Sequence, residues 1–388
     1  MKQVNQGGTQ ADKVVCLAAP FPPTVGGMAV QGKKLADRLS EEGVEVVRLD
    51  AFPRPPKVLE FTSGIRGVRT AVRALQYLRL AHGAVQKAGV VHHLAGSELN
   101  FLLHTTPLLL MCRRYKKRVV LNLRSGCSAT RLLGRWRRLG LPVIKMADAV
   151  ITPSAFLQRA LADNGVNACI VPNIADPEMF TFRERRTFAP RLFVSRQLEP
   201  VYDVSSILLA FAIVQAQYPE AVLGIAGPGS QERLLRAMVN DLGLRDVVFY
   251  GQVTNRDMPA LYEQYDIAVN ASLIDNFPGS IVEAALSGLA IVSTAAGGIV
   301  DMICDGETGS LVPLRDYRAL AAAVLDLLKH QDSAYDRTRK ARRWAEQFSW
   351  RRIYPLLLRC YGYDAAPFPS VDAQHEDDRS CVSTTVAD

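Results

Sequence analysis

Short apolar runs rich in valine, isoleucine and leucine alternate along the whole chain with longer stretches whose apolar residues recur three and four positions apart. A run of four to six apolar residues suits a strand buried on both faces, and the longer period suits a helix covering it, so the pattern predicts an α/β chain with parallel sheets. In the first half the strand candidates are Val14 to Ala19, Val44 to Leu49, Val90 to His92, Arg118 to Leu123, Ala149 to Thr152 and Cys169 to Val171. Helical periodicity marks Met28 to Glu42, Arg66 to Lys87 and Asn100 to Tyr115. The second half repeats the scheme with strands at Leu192 to Ser195, Val222 to Ala226, Val247 to Tyr250, Ile267 to Asn270, Ile291 to Thr294 and Ser310 to Val312. Its helices fall near Val204 to Tyr218, Gln231 to Leu242, Met258 to Tyr265, Gly279 to Ser287 and Asp316 to Lys329. Two βα arrays therefore stand in tandem, and 388 residues are more than one core usually organises.

The expected divisions are a flexible N-terminus at 1–12, a first domain at 13–175, an interdomain linker at 176–190 and a second domain at 191–345. A C-terminal helix at 346–364 is expected to return to the first domain, and an acidic tail at 365–388 to be disordered. The stretch from Pro172 to Pro190 carries three prolines and several charges, which suits a hinge.

Composition narrows the picture. Apolar residues make up 48% and charged residues 22%, the balance of a globular chain. No apolar run is long enough to span a bilayer, and Met1 to Asp12 is polar, so the expectation is a cytoplasmic protein. Seven scattered cysteines with no Cys-x2-Cys spacing fit a reducing compartment better than a disulfide or zinc framework. The net charge of +8 is unevenly spread: residues 1–175 carry +15 and residues 176–388 carry −7. The basic residues cluster at Arg113, Arg114, Lys116, Lys117 and Arg118, and again at Arg131, Arg135, Arg137 and Arg138 among Leu132, Leu133, Trp136, Leu139 and Leu141. Two readings stand side by side: a peripheral contact with an anionic membrane, or a solvated helix face whose apolar side is core. Nucleic acid is not expected, because no recognition module accompanies the charge.

Binding groups of a parallel sheet belong on the loops at the carboxyl ends of its strands. The first such loop, Pro20 to Met28, places Gly26 and Gly27 where a helix starts, and backbone amides there can face an anion. The most informative segment is Ser272 to Gly288. It puts Asp275 in a loop after a strand, Pro278, Gly279 and Ser280 at a helix start, and Glu283 one turn inside the helix. Each carboxylate can accept two hydrogen bonds, which suits a vicinal diol of a sugar or ribose, while amides near Gly279 and Ser280 suit a diphosphate.

These residues resemble the Glu-x7-Glu region of GT4 glycosyltransferases, with Asp275 at the first acidic position and Glu283 at the second. The resemblance extends over about residues 13–361 and implies a GT-B fold, two Rossmann-like domains with parallel sheets facing a central cleft. It further implies an acceptor domain at the N-terminus, a nucleotide-sugar donor domain at the C-terminus, Glu283 on the donor ribose and Asp275 on the transferred sugar. Arg196, in Ser195 to Asp203, matches the arginine of the family's Gly-Arg-Leu…Lys-Gly segment, which neutralises the diphosphate. The usual lysine is missing, Tyr202 lying nearest its place. Gly227 resembles the family's Gly-x-Gly turn, and Gly251 and Val253 resemble the segment lining the base. Where many relatives have a histidine, this chain has Arg124, a candidate for facing sugar or acceptor; His92, His93 and His104 are minor candidates.

The function so implied is metal-independent, retaining transfer from a nucleotide-sugar donor, and the basic first half beside an acidic second half suits a glycan or lipid-linked acceptor in surface polysaccharide or glycolipid assembly. The donor is a substrate, and no further cofactor and no metal are expected, there being no Asp-x-Asp motif. The alternatives are a catalytically degenerate GT-B protein acting as a binding or membrane-associated partner, a nucleotide-sugar epimerase, and a nicotinamide-dependent oxidoreductase. The last would need a Gly-x-Gly-x-x-Gly turn after the first strand, where Pro-Phe-Pro-Pro-Thr-Val-Gly-Gly stands instead.

Overall fold

The computed structural model describes residues 14–24, 26–53, 66–96, 101–126 and 128–363. The segments 1–12 and 365–388, read from the sequence as a flexible terminus and an acidic tail, lie outside the described residues. The chain forms two compact units that exchange at Ile174/Ala175 and again at Arg352/Ile353.

Unit 1 contains β1 (Val14–Ala19), α1 (Gly27–Glu41), β2 (Glu45–Asp50), α2 (Arg66–Lys87), β3 (Val90–Ala95), α3 (Thr106–Arg114), β4 (Arg118–Leu123), α4 (Arg137–Ile144), β5 (Ala149–Thr152), α5 (Ala155–Ala162) and β6 (Cys169–Ile170). The strands form one parallel sheet in the order β2-β1-β3-β4-β5-β6. Every residue of the interior strands β1 and β3 is buried, as a strand covered by helices on both faces requires. The edge strand β2 is exposed at Glu45 and Arg48, and its register with β1 runs from Val14 opposite Glu45 to Ala19 opposite Asp50.

Unit 2 contains β7 (Arg191–Ser195), α6 (Val204–Gln217), β8 (Val222–Ala226), α7 (Glu232–Asp241), β9 (Val247–Gly251), α8 (Met258–Tyr262), β10 (Ile267–Asn270), α9 (Gly279–Ser287), β11 (Ala290–Thr294), β12 (Ser310–Val312), α10 (Tyr317–Lys329) and α11 (Gln331–Ala345). Its parallel sheet has the order β12-β11-β10-β7-β8-β9. Alternation along β7 sends Leu192 and Val194 into one apolar layer and Phe193 into the other, with Tyr262, Ile281 and Ile291. A last helix, α12 (Trp350–Tyr361), begins in unit 2 and passes into unit 1 at Ile353.

In each sheet the chain lays strands outward on one side, then crosses over to continue on the other. The crossing falls between β1 and β3 in unit 1 and between β7 and β10 in unit 2. Outside the carboxyl ends of two such strands the loops diverge and leave room for a ligand.

Two expectations need correction. The segment 176–190 is not a free linker, because it packs into unit 2: Phe180 and Phe188 are buried, and the Arg185 side chain is fully buried. Arg185 donates to Asp266 at 2.8 Å, to the Ser287 carbonyl at 2.7 Å and to the Tyr262 and Tyr265 carbonyls at 3.0 and 2.7 Å. Its positive charge thus meets the carboxyl ends of both α8 and α9, where helix dipoles favour a cation. The expected single helix from Asn100 to Tyr115 also divides, into a π-helical turn at Phe101–Thr105 followed by α3. Pro107 lies at the start of α3 and has no N–H to give the preceding turn, so the regular ladder breaks there. Helices α5 and α11 are additions to what the periodicity predicts.

Candidate functional site

The carboxyl ends of β7 and β10 bring Arg196, Asn270 and the loop of Asp275 together. Arg196 follows the last residue of β7, and its Nε donates to Asn270 Oδ1 at 2.9 Å. Asn270 is itself oriented, since its amide donates to Ser293 Oγ at 2.9 Å and its carbonyl accepts from Ser272 Oγ at 2.8 Å. Arg196 forms an ion pair with Asp275, 2.9 Å between a terminal guanidinium nitrogen and Oδ2, and its guanidinium carbon lies 5.3 Å from the centre of the Tyr202 ring. The resemblance placed a cation in this neighbourhood and Tyr202 beside it; the two are stacked, which a cation and an aromatic face favour.

Glycines close the loops around Arg196. Gly227 has φ +144°, and a β-carbon there would lie 1.9 Å from the Arg196 carbonyl oxygen, so only glycine fits. Its amide donates to the Gly251 carbonyl at 2.7 Å, which ties the turn after β8 to the end of β9. Val253 packs as a partly buried residue against the apolar layer that contains Ala226 and Tyr262. Gly227, tied to Gly251, therefore packs directly against the Arg196 backbone. Gly297 has φ +55°, and a β-carbon there would lie 2.2 Å from the Asp275 carbonyl oxygen, while the Gly298 amide donates to that same oxygen at 2.9 Å. The pair Gly297-Gly298 thus grips the Asp275 backbone.

Helix α9 supplies the second carboxylate. Pro278 caps it in an extended conformation without a side-chain hydrogen bond, and Gly279 and Ser280 form its first turn. Glu283 lies one turn further on, and its Oε1 reaches back to 3.9 Å from where a β-carbon of Gly279 would be. Tyr262, at the end of α8, is buried and donates its hydroxyl to Glu283 Oε2 at 3.1 Å. Burial, reinforced by the charge of Glu283, pushes the Tyr262 phenol well above the usual tyrosine range, so it stays a protonated donor. A cavity of about 20 Å³ opens among Ser195, Arg196, Tyr262, Asn270 and Ser280. Arg196, Asp275, Glu283, Gly279 and Ser280 are thus gathered within unit 2. Sequence patterns left out Asn270 and Tyr262, which sit in ordinary strand and helix runs with no spacing to mark them.

The remaining candidates lie in unit 1. Gly26 caps α1 with φ +141°, and Gly27 begins that helix with open space where a β-carbon would go. Beside this turn a cavity of about 270 Å³ is lined by Pro20, Met28, Phe52, His93, Leu94 and Thr105, among others. His93 is buried and held on both ring nitrogens, Nδ1 by the Ala18 carbonyl at 3.1 Å and Nε2 by Thr105 Oγ1 at 2.9 Å. Burial lowers it to about 4, so it is neutral at physiological pH. His92 is lowered to about 3, first by burial and then by the charge of Arg124, and sits between Asn122 Nδ2 at 3.1 Å and the Tyr361 hydroxyl at 2.8 Å. It is a structural residue linking β3, β4 and α12. His104 stacks edge-on against Tyr77 and Phe52. Arg124, at the end of β4, is part-buried; desolvation lowers it to about 10, which leaves it charged. Cys16, Cys112 and Cys360 are buried thiols pushed up to about 12. Among the described residues no helix is long and apolar enough to cross a membrane.

Comparison with known proteins bears on both units. Residues 178–344 match the family model described as glycosyl transferases group 1, and residues 10–173 match the glycosyl transferase 4-like domain. Glycogen synthase of Mycobacterium tuberculosis is 24% identical over 90% of this chain and 94% of its own. Phosphatidyl-myo-inositol mannosyltransferase of Mycolicibacterium smegmatis is 26% identical over 51% of this chain and 52% of its own. Among solved structures, Anabaena HepE in complex with UDP-glucose superposes with a TM-score of 0.70 at 16% identity, over 90% of this chain and all of that one.

Proposed function

Since the chain is a GT4-like glycosyltransferase of the GT-B fold, we propose that it moves a sugar from a nucleotide-sugar donor to a glycan or lipid-linked acceptor, with retention and without a metal. The observation that carries this is the grouping of Arg196, Glu283 and the start of α9 beside the β7/β10 crossing. Transfer leaves a nucleoside diphosphate on which negative charge grows, and preoriented cations and amides stabilise such charge most. Arg196 meets the diphosphate with its guanidinium, whose planar fork suits phosphate oxygens. The amides at Gly279 and Ser280 add the positive end of the α9 dipole. Glu283, held by Tyr262, accepts the two hydroxyls of the ribose. In unit 1, Gly26, Gly27 and Arg124 are proposed to serve the sugar phosphate and acceptor side.

The relatives' names support the choice of acceptor class: one elongates a glycan and one glycosylates a phosphatidylinositol. For a lipid-linked acceptor, the exposed Leu110, Leu139, Arg113, Arg114, Arg137 and Arg138 of α3 and α4 supply an apolar and basic face toward an anionic membrane. The placement proposed is cytoplasmic, peripheral on the inner face of the membrane, in surface polysaccharide or glycolipid assembly.

Thermal-shift screening with UDP-, GDP- and ADP-sugars tests the donor site, because a bound donor raises the melting temperature by mass action. No shift with any of them at millimolar concentration would remove it. Turnover undiminished by EDTA supports metal independence, and an anomeric product of inverted configuration would overturn retention. Flotation with liposomes containing phosphatidylglycerol tests the membrane contact, which fails if the protein stays at the bottom of the gradient.

A further inference from the structure

Family resemblance puts Asp275 on the transferred sugar, but the structure points its carboxylate elsewhere. We infer that Asp275 is a positioning residue, acting on the donor through Arg196 by holding the guanidinium in place for the diphosphate. This rests on the reading of Arg196 as the diphosphate-binding cation.

Both oxygens of Asp275 are engaged. Oδ2 pairs with Arg196 at 2.9 Å and Oδ1 accepts the Asn276 amide at 2.8 Å. The pair is largely enclosed, the two side chains being 12% and 18% exposed, so solvent screens it little. The Asp275 backbone cannot drift toward a sugar, because Gly297 packs against its carbonyl and Gly298 donates to it. A side chain one methylene shorter than glutamate, on a pinned backbone, reaches its arginine and little beyond.

Arg196 is meanwhile held on three sides, by Asn270 at Nε, by Asp275 at one terminal nitrogen and by the Tyr202 ring across its face. The other terminal nitrogen is left to meet a phosphate oxygen. A free arginine gives up its rotamer freedom when it is immobilised. Ordering it before the donor arrives removes that cost from binding. This matters more here than in a site with two cations, since Tyr202 stands where the family's lysine is expected.

The two roles separate on a nucleoside diphosphate that carries no sugar. Calorimetric titration of the full chain with UDP, GDP and ADP identifies the one that wild type binds, and Asp275→Ala, Asp275→Asn, Arg196→Ala and Arg196→Ala/Asp275→Ala are then titrated with it. The positioning role predicts that Asp275→Ala weakens binding by about fivefold or more, the usual coupling of residues in contact. It also predicts that Asp275→Asn, which keeps the shape but removes the charge of the ion pair, weakens binding as well, and that the double variant binds like Arg196→Ala alone. Unchanged or tighter binding of the sugar-free nucleotide by Asp275→Ala, with a loss confined to the nucleotide sugar, overturns the inference and leaves the donor site standing. Should Asp275→Ala fail to fold, Asp275→Asn in the Arg196 and Arg196→Ala backgrounds decides by the same coupling: its effect vanishes without Arg196 or the inference falls. A wild-type chain that binds none of the three nucleotides overturns the donor-site reading and this inference with it.

Discussion

Units 1 and 2 both cross over in mid-sheet, yet the crossings are furnished in opposite ways. Between β1 and β3 there is a roomy cavity, about 270 Å³, with Met28, Phe52 and Leu94 in its wall and a neutral His93. Between β7 and β10 the space is about 20 Å³, and Arg196, Asn270 and Tyr262 crowd it. Topology decides where a ligand can approach, and side chains decide which ligand. Unit 2 has a charge held in place by neighbours, which suits an anion such as a phosphate. Unit 1 has buried imidazoles kept uncharged by desolvation, which suits hydroxyl-bearing or apolar groups better than anions.

The strongest way to break the comparison is to remove what holds the unit 2 side in shape. Arg185→Met should cost unit 2 about 3 kcal/mol, because the buried Asp266 would keep only the Ala189 amide and the half-exposed Arg183 at 3.7 Å, and the ends of α8 and α9 would lose their donor. Urea unfolding followed by tryptophan fluorescence measures it, and a loss under about 1 kcal/mol would show that the buried ion pair does not organise the site. Next in size are the site residues themselves. Glu283→Ala and Arg196→Ala should each lower donor kcat/KM by about 100-fold or more, as loss of a preorganised charge contact does, with melting temperatures little changed. Equal rates in either variant would remove that residue from its role.

A pH series separates the two units by chemistry. His92 and His93 are neutral in the folded chain, with values near 3 and 4, against 6.5 for an ordinary histidine. Their folded values are depressed, so the stabilising contribution is complete above pH 6.5 and is lost as the unfolded chain takes up protons between 6.5 and 4. The loss should be on the order of 2 kcal/mol per histidine at pH 5, borne by unit 1. Differential scanning calorimetry at pH 7 and 5 checks it, and an unchanged melting profile would contradict the buried neutral imidazoles. The smallest effect is expected at Arg124. Arg124→Gln should raise the KM for acceptor about three- to tenfold and leave donor KM alone, as loss of one partly exposed charge contact would. A change confined to donor KM would move Arg124 to the other substrate.

How much of this was legible in the chain follows from the range of the forces involved. Strand positions were readable because a parallel sheet buried on both faces imposes an unbroken apolar run, and β1, β4, β5, β8, β10 and β12 fall where those runs lie. The acidic pair at Asp275 and Glu283 was readable because its spacing and glycine setting lie within one segment. The extent of α3 was not, since Pro107 shifts the turn before it into a π form. Nor was the attachment of 176–190, where proline and charge suggested a link while Arg185 found carbonyls some 80 to 100 residues away.

The sequence alone determined the α/β class, the tandem arrangement, the charge imbalance between the halves and the segments that carry the chemistry, because each is written in local composition and period. Only the tertiary structure decided that Asp275 faces Arg196, that Tyr262 steadies Glu283, and that Gly297 packs against the backbone of Asp275. Those outcomes depend on directions and distances between strands far apart in the chain, which sheet order sets and no local pattern encodes.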